Sequence, residues 1–295
     1  MLFSIIIPTY NRSNFIISTI QSVLSQTYPN FEIIVVDDGS IDDTEDVLKK
    51  ILDRRVSYYK KNNEERAAAR NYGISKAKGD YITFLDSDDI LLPHYLQEAI
   101  SLIQKNNIPP WFHLRYKITN NSNVIIWQSE STKNGNSNKL LLEGNFLSCI
   151  GVFLREDIAK ENKFNEIRAL SGSEDHELWL RIAARYPLKT NNVLTAALID
   201  HIGRSVVNID KDLIVKRQNI FIELILSNPS LKSFVYDYER QLKSNSYSYV
   251  SLHLALSGKH KKVCLTYLIK AIKENYIIVF NRRFLAIIKH LLFTY

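Results

Sequence analysis

Cysteine is scarce in this chain of 295 residues: only Cys149 and Cys264 occur. Two cysteines cannot build a disulfide framework, nor a cysteine-only zinc site. A reducing, cytoplasmic setting is the expectation. Long apolar runs are also lacking, since none reaches the roughly 18 residues that a spanning helix requires. The stretch Leu2–Ile7 is too short for a secretory h-region and has no basic residue before it. Nucleophile-elbow, P-loop and dinucleotide glycine motifs are absent, as are internal repeats.

What is present is ordinary for a folded protein: 45% hydrophobic and 23% charged residues, which excludes disordered and collagen-like chains. The length suits one large domain or two smaller ones. The net charge of +7 is unevenly placed. Residues 1–210 hold 24 basic and 26 acidic residues, whereas residues 211–295 hold 14 basic and 5 acidic. A near-neutral front and a basic tail suggest two tasks, the tail facing phosphates, an anionic membrane or nucleic acid.

Strand and helix patterns alternate through the first hundred residues. Leu2–Ile7, Phe31–Val36, Val56–Tyr59 and Tyr81–Leu85 read as strands. Between them, Ile16, Ile20, Val23 and Leu24 fall at helical spacing behind a capping Ser13. Asp42 and Glu45 suggest a capping box for a helix using Val47, Leu48, Ile51 and Leu52. Ala67–Lys78 reads as a helix closed by Gly79. This alternation predicts an α/β fold with a mostly parallel sheet flanked by helices, and such sheets bind ligands at the carboxyl ends of their strands. Trp111–Ile118 and Asn123–Ser129 read as a hairpin, Gly135–Ser137 as a loop, and Glu174–Arg185 as a helix; beyond residue 206 the pattern is helical.

Acidic residues end two of the strands. Asp86-Ser87-Asp88 directly follows Leu85, where two carboxylates can converge on a hard cation. Taken alone, that triplet reads equally as a solvated turn with a helix cap. It has company: Pro8-Thr9-Tyr10-Asn11-Arg12 after the first strand, Asp37-Asp38-Gly39-Ser40 after the second, and Ala69-Arg70-Asn71 upstream of Gly79-Asp80. Phe164-Asn165-Glu166 and Ser173-Glu174-Asp175-His176-Glu177 follow. In this order and spacing, residues 1–205 resemble the family 2 glycosyltransferases of the GT-A fold.

The resemblance implies a catalytic domain over residues 1–205, with a nucleotide-sugar half at 1–108 and an acceptor half at 109–205, followed by a basic helical region at 206–295. It implies that Asp38 accepts the uracil N3–H of a UDP-sugar, the alternative being a turn or cap residue. Pro8, Thr9 and Tyr10 would line the nucleoside, and Arg12 would join them in the donor site. Arg70 would approach uracil or diphosphate, or else be a solvated helix arginine. Asp86 and Ser87 would contact the donor, and Asp88 would hold Mn²⁺ or Mg²⁺; Asp89 is expected only to cap the next helix. Asp175 matches the family's general base, with Glu174 the alternative base or an acceptor contact, or both acids simply favour a helix N-terminus. His201 matches a histidine that completes the metal site in some members, although Ile199-Asp200 replaces the aromatic-basic pair that often precedes it. Arg204 is a candidate phosphate contact.

The implied activity is inverting, metal-dependent transfer of a sugar to a hydroxyl of a glycan or lipid-linked glycan, in the assembly of surface polysaccharide or lipopolysaccharide. A nucleotidyltransferase would need a glycine-rich loop where Pro8–Arg12 stands, and a non-catalytic glycan- or nucleotide-binding module would need no base. Nucleic-acid binding ranks last, since the tail carries no motif for it. Residues 276–295 interleave Ile277, Phe280, Leu285 and Leu292 with Arg282, Arg283 and Lys289. Two readings stand for them: a helix lying on the inner face of the cell membrane, or an ordinary helix packed on the catalytic domain or a partner subunit.

Overall fold

The structure, a computed structural model, describes residues 1–120, 122–129, 137–201 and 210–293. The chain divides into two units. The first comprises residues 1–137, 146–168 and 185–204, and the second residues 138–145, 169–184 and 205–295. The acidic Ser173–Glu177 motif therefore belongs with the C-terminal helices, although it lies far upstream of them in the sequence.

The first unit opens with β1 (Phe3–Thr9), α1 (Ile16–Leu24), β2 (Phe31–Asp37), α2 (Thr44–Leu48), β3 (Val56–Lys60), α3 (Glu65–Lys76) and β4 (Tyr81–Phe84). The four strands are parallel, in the order β3-β2-β1-β4. Every residue of β1 is buried, as expected of a strand covered on both faces. Next come β5 (Ile90–Leu91), α4 (Tyr95–Lys105), β6 (Trp111–Asn120) and β7 (Ile125–Gln128). Then follow β8 (Val152–Arg155), α6 (Glu156–Glu161) and β9 (Lys189–Asp200), while α5 (Ser137–Leu140), from its second residue, and α7 (Glu174–Ala183) belong to the second unit. The sheet continues β4-β8-β6-β9-β5, with β8 antiparallel to β4 and β6, β9 parallel to β6, and β5 antiparallel to β9. β7 folds back on β6 as the expected hairpin. Phe3, Tyr81, Phe112 and Phe153 anchor the core, with the Phe112 and Phe153 rings stacked at 4.7 Å.

Four local expectations are corrected. Phe15, not Ser13, stands at the start of α1, and the Ser13 amide donates instead to the Asp42 carboxylate. That carboxylate also holds Thr44, while Glu45 pairs with Lys49 and Lys60, so no capping box forms. Helix α2 has five residues, because Leu52 finds nothing to pack on and is 93% exposed. Gly79 does not close α3, which ends at Lys76. A Cβ on Gly79 would fall 2.6 Å from the Ser4 backbone nitrogen, and its own N–H donates to Ser4 Oγ, so the glycine serves close packing against β1.

In the second unit, α8 (Lys211–Ser227), α9 (Lys232–Val235), α10 (Glu239–Leu256), α11 (Lys261–Glu274) and α12 (Arg282–Phe293) realise the helical pattern after residue 206. Ile214, Val250, Leu254, Leu268 and Ile287 form its core. The C-terminal helix α12 thus buries Ile287 within its own unit, while Phe280, Leu285 and Leu292 are exposed. Cys264 is buried there and Cys149 in the first unit, both as free thiols. Of the loop expected at Gly135–Ser137, Ser137 instead opens α5, and residues 135–136 lie outside the described residues.

Candidate active site

Three strand-end turns, two of them acidic, meet because parallel strands end together. Thr9 of β1 sits opposite Asp37 of β2, and Ile6 opposite Phe84 of β4. The Asp38 amide donates to the Thr9 carbonyl at 2.8 Å, and the Leu85 amide to the Ile6 carbonyl at 2.9 Å. The Asn11 amide donates to Ser40 Oγ, and Asn11 Oδ1 accepts the Ile41 amide, which knits the first two turns together. Asn11 has φ 51°, a left-handed conformation that asparagine tolerates.

Asp37 and Asp38 have different jobs. Asp37 is fully buried and accepts the Ser40 amide and the Tyr58 hydroxyl. Burial, with Asp37 beside it, pushes the Tyr58 phenol well above its usual range. The Asp38 carboxylate, 4% exposed, accepts Lys61 Nζ and the amides of Glu64 and Glu65 at the start of α3. Three donors leave room for one more on a carboxylate with about four lone-pair directions. Asp38 therefore anchors the start of α3 from the end of β2.

Arg70 is not a solvated helix residue. It is 2% exposed, donates to Asp86 Oδ1 at 2.8 Å, and lies over the Phe164 ring. Asn71 holds that ring's backbone, exchanging hydrogen bonds with Phe164 N and O and donating to Glu166. The distant Phe164-Asn165-Glu166 motif thus serves to fix Arg70 against Asp86. Ser87 and Pro8 are buried, Tyr10 is exposed, and the buried Thr9 hydroxyl has no hydrogen-bond partner among the described residues.

His201 reaches this rim through sheet register. β5 runs antiparallel to β9 with Ile90 opposite Ala197, so the residues just before β5 face the end of β9. Asp88 Oδ2 and His201 Nε2, 113 residues apart, approach to 3.1 Å. Phe15 stacks on the imidazole at 4.7 Å, and Arg12 Nε lies 3.4 Å from Asp88 Oδ2. Asp89 does not cap a helix: its buried carboxylate accepts the Ile199 amide at 3.0 Å and tethers the acidic turn to β9. Sequence reasoning missed Phe15 and this use of Asp89; neither leaves a local signal, because both act across the fold.

A carboxylate oxygen and an imidazole nitrogen at this separation are a donor set that Mn²⁺ accepts, with positions left for phosphate oxygens and water. No group of three or more histidine, cysteine or acidic residues clusters for a metal among the described residues. The pair fits an ion completed by its substrate rather than a closed protein cage.

The second unit holds the remaining acids. Glu174 is buried, and its carboxylate turns back to accept the Gly172 amide. Asp175 is only partly buried; it accepts the Asn145 side-chain amide at 3.0 Å and the His176 amide at 2.7 Å. Burial holds His176 down to about 4, so it is neutral near pH 7; it contacts the Leu141 carbonyl and stacks on Phe221. Arg181 pairs with Glu177, and Trp179 is fully buried. Arg204 lies outside the described residues.

Comparison with known proteins identifies the family. The chain matches the model of Glycosyl transferase family 2 over residues 4–161 and belongs to that family. It is 37% identical over 193 residues to the UDP-Glc:alpha-D-GlcNAc-diphosphoundecaprenol beta-1,3-glucosyltransferase WfgD of Escherichia coli, covering 65% of this chain and 72% of that protein. It is 36% identical over 184 residues to an uncharacterized glycosyltransferase of Rickettsia bellii, covering 62% of this chain. The chain spans about a quarter of that Rickettsia protein's length, 26%. The fold matches S. aureus TarS 1–349 in complex with UDP-GlcNAc, with a TM-score of 0.65 and 18% identity, over 93% of this chain and 89% of that one.

Proposed function

We propose that this chain is an inverting, divalent-metal-dependent glycosyltransferase that moves a sugar from a UDP-linked donor to a hydroxyl of a lipid-linked glycan. The observation that carries the reading is the 3.1 Å approach of Asp88 and His201 on the same strand-end rim as Asp38 and Asp86. WfgD, named for a UDP-glucose donor and a diphosphoundecaprenol-linked acceptor, supports the donor and acceptor classes.

Asp38 would take the uracil N3–H with its remaining lone-pair direction. Asp86, held by Arg70, would accept from the ribose hydroxyls, with Pro8, Thr9, Tyr10 and Ser87 lining the nucleoside. Asp88 and His201 would hold Mn²⁺ or Mg²⁺, which when bound offsets charge gathering on the departing diphosphate. Arg12, beside Asp88, would face the same phosphates.

Asp175 would act as general base. It is the less buried of the two acids, and its carboxylate is oriented by Asn145, whereas Glu174 is turned to its own backbone. The carboxylate would take the acceptor hydroxyl's proton as the new bond forms opposite UDP, which inverts the anomeric centre. Transfer would take place at the cytoplasmic face of the membrane, where such an acceptor is presented. Among the described residues no helix is long and apolar enough to cross a membrane, and the exposed Phe280, Leu285 and Leu292 beside Arg282 and Lys289 would provide an interfacial surface.

The test is UDP binding and UDP-sugar hydrolysis with and without Mn²⁺. Asp88→Ala should lose the metal dependence of both, and Asp175→Asn should keep donor binding but lose transfer. Transfer at the parent rate by Asp175→Asn would remove Asp175 as the base; metal-independent UDP binding by the parent would remove the metal.

A further inference from the structure

The second unit contains a cationic cluster that the donor site does not use. Arg217 of α8 lies against the backbone of Gly172, where a Cβ would sit 2.9 Å from a guanidinium nitrogen. Gly172 has φ +93° and precedes Glu174-Asp175 by two residues, so the glycine brings an arginine to the base-bearing turn. Arg283 of α12 lies near the segment that holds Asp175. It passes near Gly144, next to the Asn145 that holds Asp175, and donates through one nitrogen to the Asn245 carbonyl and Ser248 Oγ.

Tyr249 and His253, one turn apart on α10 with their rings 4.3 Å apart, both feel these charges. Burial holds His253 down to about 4, with Arg217 and Arg283 lowering it further, so it adds no positive charge near pH 7. Tyr249 is hydrogen-bonded to Arg217 and lies within electrostatic reach of Asp175 and Arg283.

Neither guanidinium forms an ion pair with a carboxylate among the described residues. Arg217 Nε is buried with no hydrogen-bond partner there. Burial also pulls the Arg283 guanidinium below its usual range. Two part-buried arginines near one phenol, hydrogen-bonded among the described residues only to neutral groups and not to a carboxylate, gain from an anion that joins them. Guanidinium forks match phosphate oxygens in a bidentate manner.

We propose that Arg217 and Arg283 form an acceptor-side phosphate clamp, which grips a phosphate or diphosphate ester attached to the acceptor sugar whose hydroxyl Asp175 deprotonates. This rests on the glycosyltransferase reading and deepens it. The ligand is a sugar with a phosphate on its anomeric carbon, whether its far end is a lipid or a free terminus. Tyr249 donates a further hydrogen bond to the phosphate, and the neutral His253 packs beneath it.

The test compares three acceptors carrying the same sugar: a short-chain alkyl diphosphate, the free sugar-1-phosphate, and a neutral alkyl glycoside. Arg217→Gln and Arg283→Gln should raise KM for both phosphorylated acceptors by roughly tenfold or more, the scale of one lost charged hydrogen bond. KM for the neutral glycoside should not change, nor should UDP-sugar hydrolysis. Arg217→Lys, which keeps a point charge, should recover part of the loss. Equal response of the diphosphate and the sugar-1-phosphate assigns the clamp to phosphate itself; response of the alkyl diphosphate alone assigns it to the diphosphate of a lipid-linked acceptor.

Because Arg283 also ties α12 to α10 and Arg217 ties α8 to α10 through Tyr249, each variant is read against its neutral-acceptor KM and its UDP-sugar hydrolysis, which a merely structural loss would also lower. Intact UDP-sugar hydrolysis with no discrimination between phosphorylated and neutral acceptors in either variant would overturn the clamp alone. Absence of UDP-sugar hydrolysis and UDP binding in the parent protein would overturn the glycosyltransferase reading beneath it.

Discussion

Replacing Asp89 with alanine should loosen the proposed metal site without removing either ligand. The Asp89 carboxylate is buried and accepts the Ile199 amide at 3.0 Å, two residues before His201. Its loss removes a part-buried charged hydrogen bond and leaves the Ile199 N–H without that acceptor, a cost of about 1–3 kcal/mol. For a domain of this size each kcal/mol lowers Tm by about 2–4 °C, so the expected drop is about 2–12 °C. Function should respond in a separate way. The end of β9 would no longer be fixed against the acidic turn, and the gain in UDP affinity that Mn²⁺ brings should shrink by roughly tenfold, equivalent to about 1.4 kcal/mol. Asp89→Asn keeps an acceptor oxygen on the same frame and should recover most of the Tm. Differential scanning calorimetry and titration calorimetry of UDP with and without Mn²⁺ measure both effects. A lowered Tm with an unchanged Mn²⁺ effect would refute the claim that Asp89 positions His201.

Gly79→Ala should destabilise the protein by about 1–3 kcal/mol through overpacking, because its Cβ meets the Ser4 backbone rather than a movable side chain; urea denaturation checks this. Acid should destabilise the fold through its buried histidines. His113 is held to about 3 and His176 and His253 to about 4, each by burial, against an ordinary 6.5. Folded-state values are depressed, so the unfolded chain binds more protons in between. This stability is complete above about pH 6.5 and is lost progressively toward pH 4; an unfolding midpoint that stays flat over that window would contradict it. Phe280→Ser combined with Leu285→Ser should weaken cosedimentation with anionic liposomes and leave Tm nearly unchanged, since both side chains are already exposed; a large fall in Tm would instead show that they pack.

Much of the first unit is legible in the order of its residues. The runs Leu2–Ile7, Phe31–Val36 and Tyr81–Leu85 form largely buried strands, and a strand covered on both faces shows as an unbroken apolar run. The acids after them are legible as a shared rim, because parallel strands end on one side. Local signals mislead where they compete with tertiary contact. Helical spacing from Val47 to Leu52 overstates α2, since Leu52 has no surface to pack on. Ser13 has the chemistry of a cap, yet its amide turns to Asp42 across the rim.

Residue type and order by themselves determined that this chain folds around a parallel sheet, carries acids at its strand ends, and belongs with the family 2 glycosyltransferases. Those properties follow from hydrophobic burial and backbone chirality, which act on neighbours in sequence. Only the tertiary structure decided what each acid faces: Asp38 the start of α3, Asp86 the guanidinium of Arg70, Asp88 the imidazole of His201, Asp89 the end of β9. The same holds for Arg217 beside Gly172 and Arg283 near Gly144, supplied by separate helices. Electrostatic partnership depends on distance in space, and residues 113 positions apart carry no mark of it until the sheet register brings them together.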